Sequence, residues 1–192
     1  MRKFWLVALF LALCGTVTVA QNAELAGGWD YLHVDSDVLP TQNGIPGGFF
    51  VDGTYYFAKV IGLTGDFEYN KKTFSSDAIF TAGDQARTVS FHAGPRVKAR
   101  IGKVEPFAQA LFGVANLQLT PFGMPSESSS KFSMKLGGGV DWAVAPHFAL
   151  RLGEFNYYYT KFSSTDFSFG FPGAGVNDHQ NNVTFGVGVV IR

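Results

Sequence analysis

The stretch Asn182-Val-Thr-Phe-Gly-Val-Gly-Val-Val-Ile-Arg192 decides the fold, because its side chains alternate between two unlike kinds. The bulky apolar residues share one face, and they are Val183, Phe185, Val187, Val189 and Ile191. The small or polar residues share the other face, and they are Thr184, Gly186 and Gly188. Alternation with a period of two predicts a β-strand whose faces meet different surroundings. A bulky apolar face opposite a small or polar one is typical of a strand with lipid outside and a narrow polar lumen inside.

The composition indicates an all-β chain, with 23 Gly, 20 Phe and 16% aromatic residues. We expect residues 1–20 to be a signal peptide. Arg2 and Lys3 precede an apolar run over 4–13 that is too short to cross a bilayer. Small residues then precede the expected cleavage site after Ala20. Residues 21–192 then form one domain. Removing Arg2 and Lys3 from the 15 basic residues leaves 13 against 15 acidic ones, a balance that argues against a nucleic-acid partner.

The same alternation recurs along the chain and predicts eight strands, at about 24–34, 48–58, 62–74, 87–100, 104–117, 132–143, 147–160 and 182–191. Each is long enough for the roughly 9–11 residues that a tilted strand needs to cross a bilayer. Short connections at 59–61, 101–103 and 144–146 alternate with long ones at 35–47, 75–86, 118–131 and 161–181. This pattern predicts an eight-stranded antiparallel up-and-down transmembrane β-barrel with short periplasmic turns and long extracellular loops.

Nearly every charged residue within a strand falls on the small or polar face, which we expect to line the lumen. On the lipid face, an Arg or Lys near the midplane would cost roughly 2–4 kcal/mol. The predicted lumen network consists of Asp52, Asp66, Glu68, Arg96, Lys98, Glu105, Gln109, Lys135, Asp141, Arg151 and Glu154, with Asp30, Thr54 and His92 beside them. Eight strands enclose only enough space for side chains, and buried charges must pair. We therefore expect a plug of ion pairs and not an open channel.

The seventh strand breaks the alternation. Phe148, Leu150 and Leu152 share one face, whereas strict counting puts Phe155, Tyr157 and Tyr159 on the other. A β-bulge near Gly153 and Glu154 would restore the register. With the bulge, the side chains that point into the barrel are Arg151, Glu154, Asn156 and Tyr158.

Aromatic residues near the strand ends are candidates for the two girdles that such barrels place at the membrane interfaces. The candidates are Trp29, Tyr31, Tyr55, Phe57, Tyr69, Trp142, Tyr157 and Tyr159. Aromatic residues also have a high β-propensity, which by itself would enrich them in strands.

The sequence gives little indication of a catalytic or metal-binding site. The four histidines, His33, His92, His147 and His179, are not spaced as metal ligands, and the single cysteine lies within residues 1–20. No G-x-S-x-G nucleophile elbow occurs. We predict no catalytic residue, no metal and no cofactor.

Three segments resemble a known family, and they are Phe91-His-Ala-Gly-Pro-Arg96, Pro106-Phe-Ala-Gln-Ala-Leu-Phe-Gly113 and the stretch from Asn181 to Ile191. They resemble the small outer-membrane β-barrels of the OmpA transmembrane-domain and OmpX-like type, which carry the outer membrane protein β-barrel domain. The resemblance implies a bacterial outer-membrane protein with a structural, envelope or surface-interaction role. It also implies insertion by the barrel assembly machinery.

The expected function is therefore that of an integral outer-membrane barrel and not of an enzyme. Its expected partners are outer-membrane lipid and an extracellular partner at loops 118–131 and 161–181. Two alternatives stay open at this point. A soluble lipocalin-like carrier would need its bulky apolar faces inside, around an apolar ligand. A lipid-modifying enzyme at the barrel rim would use His147 or His179.

Overall fold

The computed structural model describes residues 22–33, 44–73, 84–120, 123, 125–161 and 179–192, in which the chain forms eight antiparallel strands. In chain order they are β1 (Ala23–His33), β2 (Gly44–Tyr56), β3 (Ile61–Thr73), β4 (Gln85–Lys98), β5 (Val104–Thr120), β6 (Glu127–Ala145), β7 (Phe148–Thr160) and β8 (Gln180–Ile191). Each strand pairs with the next, and β8 pairs with β1, so the sheet closes into a barrel. The predicted eight-stranded barrel is confirmed. The expected signal peptide lies outside the described residues and stays a prediction.

The connections alternate in length, as the sequence predicts. Short ones at 57–60, 99–103 and 146–147 lie at the end of the barrel where β1 begins and β8 ends. The opposite end carries the connections 34–43, 74–84, 121–126 and 161–179. We call these two ends the turn end and the loop end. The short turns are held by backbone hydrogen bonds such as that from the Ile101 amide to the Val104 carbonyl, 3.0 Å long.

The prediction of a long loop at 118–131 is wrong. Strands β5 and β6 continue to pair through this region, with Gln118 opposite Ser128, and only residues 121–126 connect them. The serines favour turns by themselves, but cross-strand contacts override that preference. The Asn116 side-chain amide, for example, donates a 2.9 Å hydrogen bond to the Ser130 hydroxyl. The proposed partner-binding loop is therefore a paired extension of the barrel wall over most of its length.

The predicted bulge in β7 is confirmed. Arg151 pairs with Gly188 and Glu154 pairs with Gly186, so three steps along β7 match two steps along β8. The same extra residue appears on the other side, where adjacent residues of β6 face Arg151 and Gly153. The bulge keeps Arg151 and Glu154 on the inner face, and both are buried.

The barrel wall has its apolar side outside. Leu63, Phe91, Val114, Leu136 and Phe155 are each more than half exposed on the outer face. The inner face buries carboxylates, guanidinium groups and ammonium groups. A soluble carrier of apolar ligands requires the reverse arrangement, so the structure does not support the lipocalin-like alternative.

Two phenylalanine rings lie on the inner face, where the alternation predicts small or polar residues. Phe50 and Phe107 both point inward and are buried. Glycines make room for them, because a Cβ atom at Gly139 would lie 2.9 Å from Phe107 Cζ and one at Gly186 would lie 3.1 Å from Phe50 Cε1. A side chain at position 139 would also clash with the backbone of β7, because the same Cβ would lie 2.3 Å from the Gly153 carbonyl oxygen. The Gly-rich run in β6 therefore relieves crowding inside the narrow barrel.

Candidate functional site in the barrel lumen

Most charged side chains of the strands converge inside the barrel. The structure buries all sixteen of the residues that the sequence places in the lumen, namely Asp30, Asp52, Thr54, Asp66, Glu68, His92, Arg96, Lys98, Glu105, Gln109, Lys135, Asp141, Arg151, Glu154, Asn156 and Tyr158. The cause is the strict alternation of the strands, which puts every second residue on the inner face. These residues form three groups along the barrel axis.

The central cluster consists of Asp52, Arg96, Gln109, Asp141, Arg151 and Glu154. Asp52 accepts hydrogen bonds from Arg96 Nη1 at 2.8 Å and from Arg151 Nη1 at 2.5 Å. Arg151 also donates to Asp141 Oδ1 at 2.9 Å and to Glu154 Oε2 at 2.6 Å. Arg96 Nε donates to Gln109 Oε1 at 2.9 Å, and Gln109 Nε2 donates to Glu154 Oε1 at 2.7 Å. Each charged group of this cluster therefore has an opposite charge and directed hydrogen bonds.

The ring of Phe107 completes the central cluster. It contacts two guanidinium groups, with Arg96 Cζ 4.7 Å and Arg151 Cζ 4.6 Å from its centroid. Cations above an aromatic face are attracted by the quadrupole of the ring. The sequence pattern could not show this role, because Phe107 occupies a position that the alternation reserves for polar residues.

The turn-end cluster consists of Glu24, Lys98, Arg100, Glu105 and Arg192. Lys98 Nζ lies 2.5 Å from Glu24 Oε2 and 2.8 Å from Asp141 Oδ2, which joins this cluster to the central one. Arg192 Nη1 donates to both oxygens of Glu105, at 2.6 and 2.7 Å. Glu24, Arg100 and Arg192 are not part of the predicted network, because they stand at or beyond strand ends, where alternation gives little information.

The loop-end cluster consists of Asp30, Asp66, Glu68, Asn70, His92, Ser133 and Lys135. Lys135 Nζ lies 2.6 Å from Asp66 Oδ1 and also contacts the Glu68 carboxylate. Asn70 Nδ2 donates to Asp30 Oδ2 at 3.0 Å. The single ammonium of Lys135 is thus shared between two carboxylates on β3, and a neutral amide serves the third, Asp30.

Three members of the loop-end cluster have the connectivity of a hydrolase triad. His92 Nε2 lies 2.8 Å from Ser133 Oγ, and His92 Nδ1 lies 3.4 Å from Asp66 Oδ1. A nucleophile must reach a substrate carbonyl, however, and the side chains of Ser133 and His92 are both 0% exposed. The Asp66 carboxylate is also engaged by Lys135. The arrangement is therefore closed to solvent, and its serine and histidine are not accessible to a substrate.

His147 and His179 lie at opposite ends of the barrel. His147 Nδ1 lies 3.1 Å from the Arg192 carbonyl oxygen at the turn end, and the ring of His179 stacks on Tyr159 at the loop end, 5.6 Å between centroids. Within the described part of the chain, no group of three or more His, Cys, Asp or Glu residues could hold a metal ion. Nothing in this geometry supports a lipid-modifying enzyme at the rim.

The predicted girdle residues divide between the two ends of the barrel. Tyr55 and Trp142 lie near the turn end and are exposed, and Phe57 lies within the 57–60 turn and not on a strand. The others stand farther toward the loop end, and they are Trp29, Tyr31, Tyr69, Tyr157 and Tyr159. Their assignment to the two membrane interfaces stays a prediction.

No helix among the described residues is long and apolar enough to span a bilayer. The closed barrel, with apolar side chains outside and paired charges inside, is built as the small transmembrane barrels of bacterial outer membranes are. A family model, described as outer membrane protein beta-barrel domain, matches residues 6–190, and the chain belongs to this family. The outer membrane is therefore where the protein resides.

Solved structures with the same fold agree. Neisserial surface protein A is 12% identical, with a TM-score of 0.59 over 88% of this chain and 96% of its own. Ail, the attachment invasion locus protein of Yersinia pestis, is 20% identical in its complex with the heparin analogue sucrose octasulfate, with a TM-score of 0.56 over 88% of this chain and 98% of its own. A sequence comparison with curated proteins gives no match.

Proposed function

We propose that this protein is a sealed outer-membrane barrel that anchors extracellular segments and does not conduct as an open pore. The observation that carries the proposal is that ion pairs join opposite walls of the lumen. Arg151 on β7 binds Asp52 on β2, and these strands stand three places apart around the ring. Lys135 on β6 binds Asp66 on β3, again three places apart.

The ion pairs obstruct the lumen at all three levels of the barrel. The third bridge runs from Lys98 on β4 to Glu24 on β1. A passing ion would have to separate buried partners, and separating a buried pair leaves uncompensated charges in a medium of low dielectric. The buried ring of Phe107, in contact with both guanidinium groups of the central cluster, occupies further space in the lumen. An eight-stranded barrel has no interior width to spare beyond these side chains.

The positions of the longer connections support a surface-interaction role. The loop end carries the four longer connections, which in outer-membrane barrels are extracellular. Ail, a barrel of the same fold, has been crystallised with a heparin analogue. We infer that the loop end of this protein likewise meets an extracellular partner. The predicted site at 161–181 falls there, although residues 162–178 lie outside the described ones.

Planar-bilayer recording tests the sealed lumen. Residues 21–192 are refolded in detergent, shown to be folded by heat-modifiable migration on a gel, and reconstituted beside a porin of known conductance as the positive control. The expected result is no large, steady single-channel current from the refolded chain. Steady conductance steps comparable to those of the porin would overturn the proposal.

A further inference from the structure

A row of hydrogen-bond donors crosses four strands on the outer face of the barrel near the loop end. Lys71 on β3 stands opposite Arg87 on β4, Arg87 stands opposite Gln118 on β5, and Gln118 stands opposite Ser128 on β6. Their neighbours Asn70, Ala86 and Leu119 are buried in the interior, so alternation turns the row outward. We call these four residues the donor row. It contains two cations and no acidic residue.

The donor row lies just beyond the apolar band. Two residues nearer the turn end on the same strands, the registered row is Tyr69, Val89, Asn116 and Ser130. Another two residues toward the turn end, the registered row consists of Phe67, Phe91, Val114 and Phe132. The last three of these side chains are more than 40% exposed. The wall therefore changes from apolar to mixed to fully polar over four residues. This gradient along each strand is the one expected where the outer face passes from the acyl chains to the lipid headgroups.

The Lys71 and Arg87 pair is unfavourable without an anion. Residues directly opposite on antiparallel strands have Cβ atoms about 4.5–5.5 Å apart, and like charges in that position repel. The guanidinium of Arg87 is held in place by Tyr69, whose ring centroid lies 5.1 Å from Arg87 Cζ. An anion between the two cations would turn repulsion into attraction. Gln118 and Ser128 would extend the hydrogen bonding along the same row.

The donor row is particular to one side of the barrel. Across the barrel, near the loop end of the β7–β8 pair, outward positions hold Tyr157 opposite Val183 and Tyr159 opposite Asn181. These side chains carry no charge. Lys161, exposed just past the end of β7, is a single outward cation, and its Nζ lies 5.9 Å from the centroid of the Phe132 ring. The β3–β4 pair differs because two cations stand directly opposite each other there, with the uncharged donors on β5 and β6 beside them.

We propose that the donor row binds a phosphate group of the phosphorylated glycolipid in the outer leaflet. A phosphate offers the oxygen acceptors and negative charge that Arg, Lys and hydroxyl donors recognise. A lipid-borne phosphate fits because the row lies directly above the band that contacts acyl chains. The lipid would be held at a defined position on the barrel, with its acyl chains against Phe91 and Val114. This site is independent of the sealed lumen.

Binding of lipid A to the refolded protein tests the proposal. Residues 21–192 in a zwitterionic detergent are titrated with diphosphoryl lipid A and with chemically dephosphorylated lipid A, and bound lipid is quantified by native mass spectrometry. The variant Lys71→Gln/Arg87→Gln removes the two cations. The matched control, Lys59→Gln/Lys103→Gln, removes two exposed cations from turn-end connections. Heat-modifiable migration verifies that each variant is folded.

The expected outcome is that the double variant binds diphosphoryl lipid A about thirtyfold more weakly, the effect of two basic residues near a membrane surface. The control variant should bind like the original chain, and Lys71→Arg/Arg87→Lys, which preserves both charges, should retain most of the affinity. The donor-row variant should bind dephosphorylated lipid A no more weakly than the original chain does. Equal affinity of the original chain for both lipids, or an equal loss in the control variant, would overturn the assignment.

Discussion

The substitution Asp52→Asn should destabilise the barrel more than neutralisation of the turn-end carboxylate Glu105 does. Asp52 is the one carboxylate that binds both guanidinium groups of the central cluster. Arg151 would keep its contacts with Asp141 and Glu154. Arg96 would keep only the neutral oxygen atoms of Gln109 and Thr54 as direct partners in the described structure. The change therefore leaves one buried guanidinium without an opposite charge beside it.

The magnitude follows from burial. Arg96 is 1% exposed and Asp52 is 2% exposed, so water cannot solvate the orphaned charge. Removing one partner of such a buried pair costs about 3–5 kcal/mol. The matched control is Glu105→Gln at the turn end. Its partner Arg192 has a 16% exposed side chain and a second carboxylate, Glu24, at 3.9 Å, so we expect a smaller loss.

Equilibrium unfolding in urea measures both changes. The refolded chain and its variants are inserted into lipid vesicles, and folding is followed by tryptophan fluorescence and by heat-modifiable migration. A third variant, Asp52→Asn/Arg96→Gln, removes the orphaned charge as well and should recover part of the lost stability. If Asp52→Asn lowered the free energy of unfolding no more than Glu105→Gln, or if the double variant were less stable than the single one, the electrostatic reasoning would be wrong.

Three further outcomes are expected. Gly139→Ala should cost about 1–3 kcal/mol by overpacking the interior, whereas Gly65→Ala, where a Cβ atom meets nothing within 4 Å, should leave the urea midpoint nearly unchanged. A protease site inserted after Gly123 should be cut on intact cells, while the same site after Gly102 should be cut only after the outer membrane is opened. Leu136→Arg should lower the free energy of unfolding in vesicles by roughly 2–4 kcal/mol, the cost of a cation in the lipid-facing band; a loss of less than half a kcal/mol would contradict the outward orientation of that face.

The sequence predicts the barrel well because alternation and charge segregation are local signals. The pattern of β8 shows which face meets lipid, and the break of phase at Gly153 shows the bulge. The sequence predicts the ends of the strands less well, because pairing with the neighbouring strand determines where a strand ends. Ser128 and Ser130 have turn-forming side chains, yet their opposite residues on β5 hold them in the ladder.

The pairing inside the lumen could not be predicted from the sequence. Alternation places Asp52 and Arg151 inside, but the residues are 99 positions apart and nothing local says that they meet. The inward rings of Phe50 and Phe107 were missed for a related reason. Each is accommodated by a glycine on another strand, and that compensation is visible only once the register is known.

The closure of β1 on β8 has a consequence for biogenesis. The bridge from Lys98 to Glu24 and the bridge from Arg151 to Asp52 both join distant parts of the chain, so local hairpin formation cannot assemble them early. Until the final strand is in place, these ionised groups need water. We therefore expect the folding intermediate to keep its lumen hydrated through the gap between β1 and β8, and to lose that water only when these two strands pair.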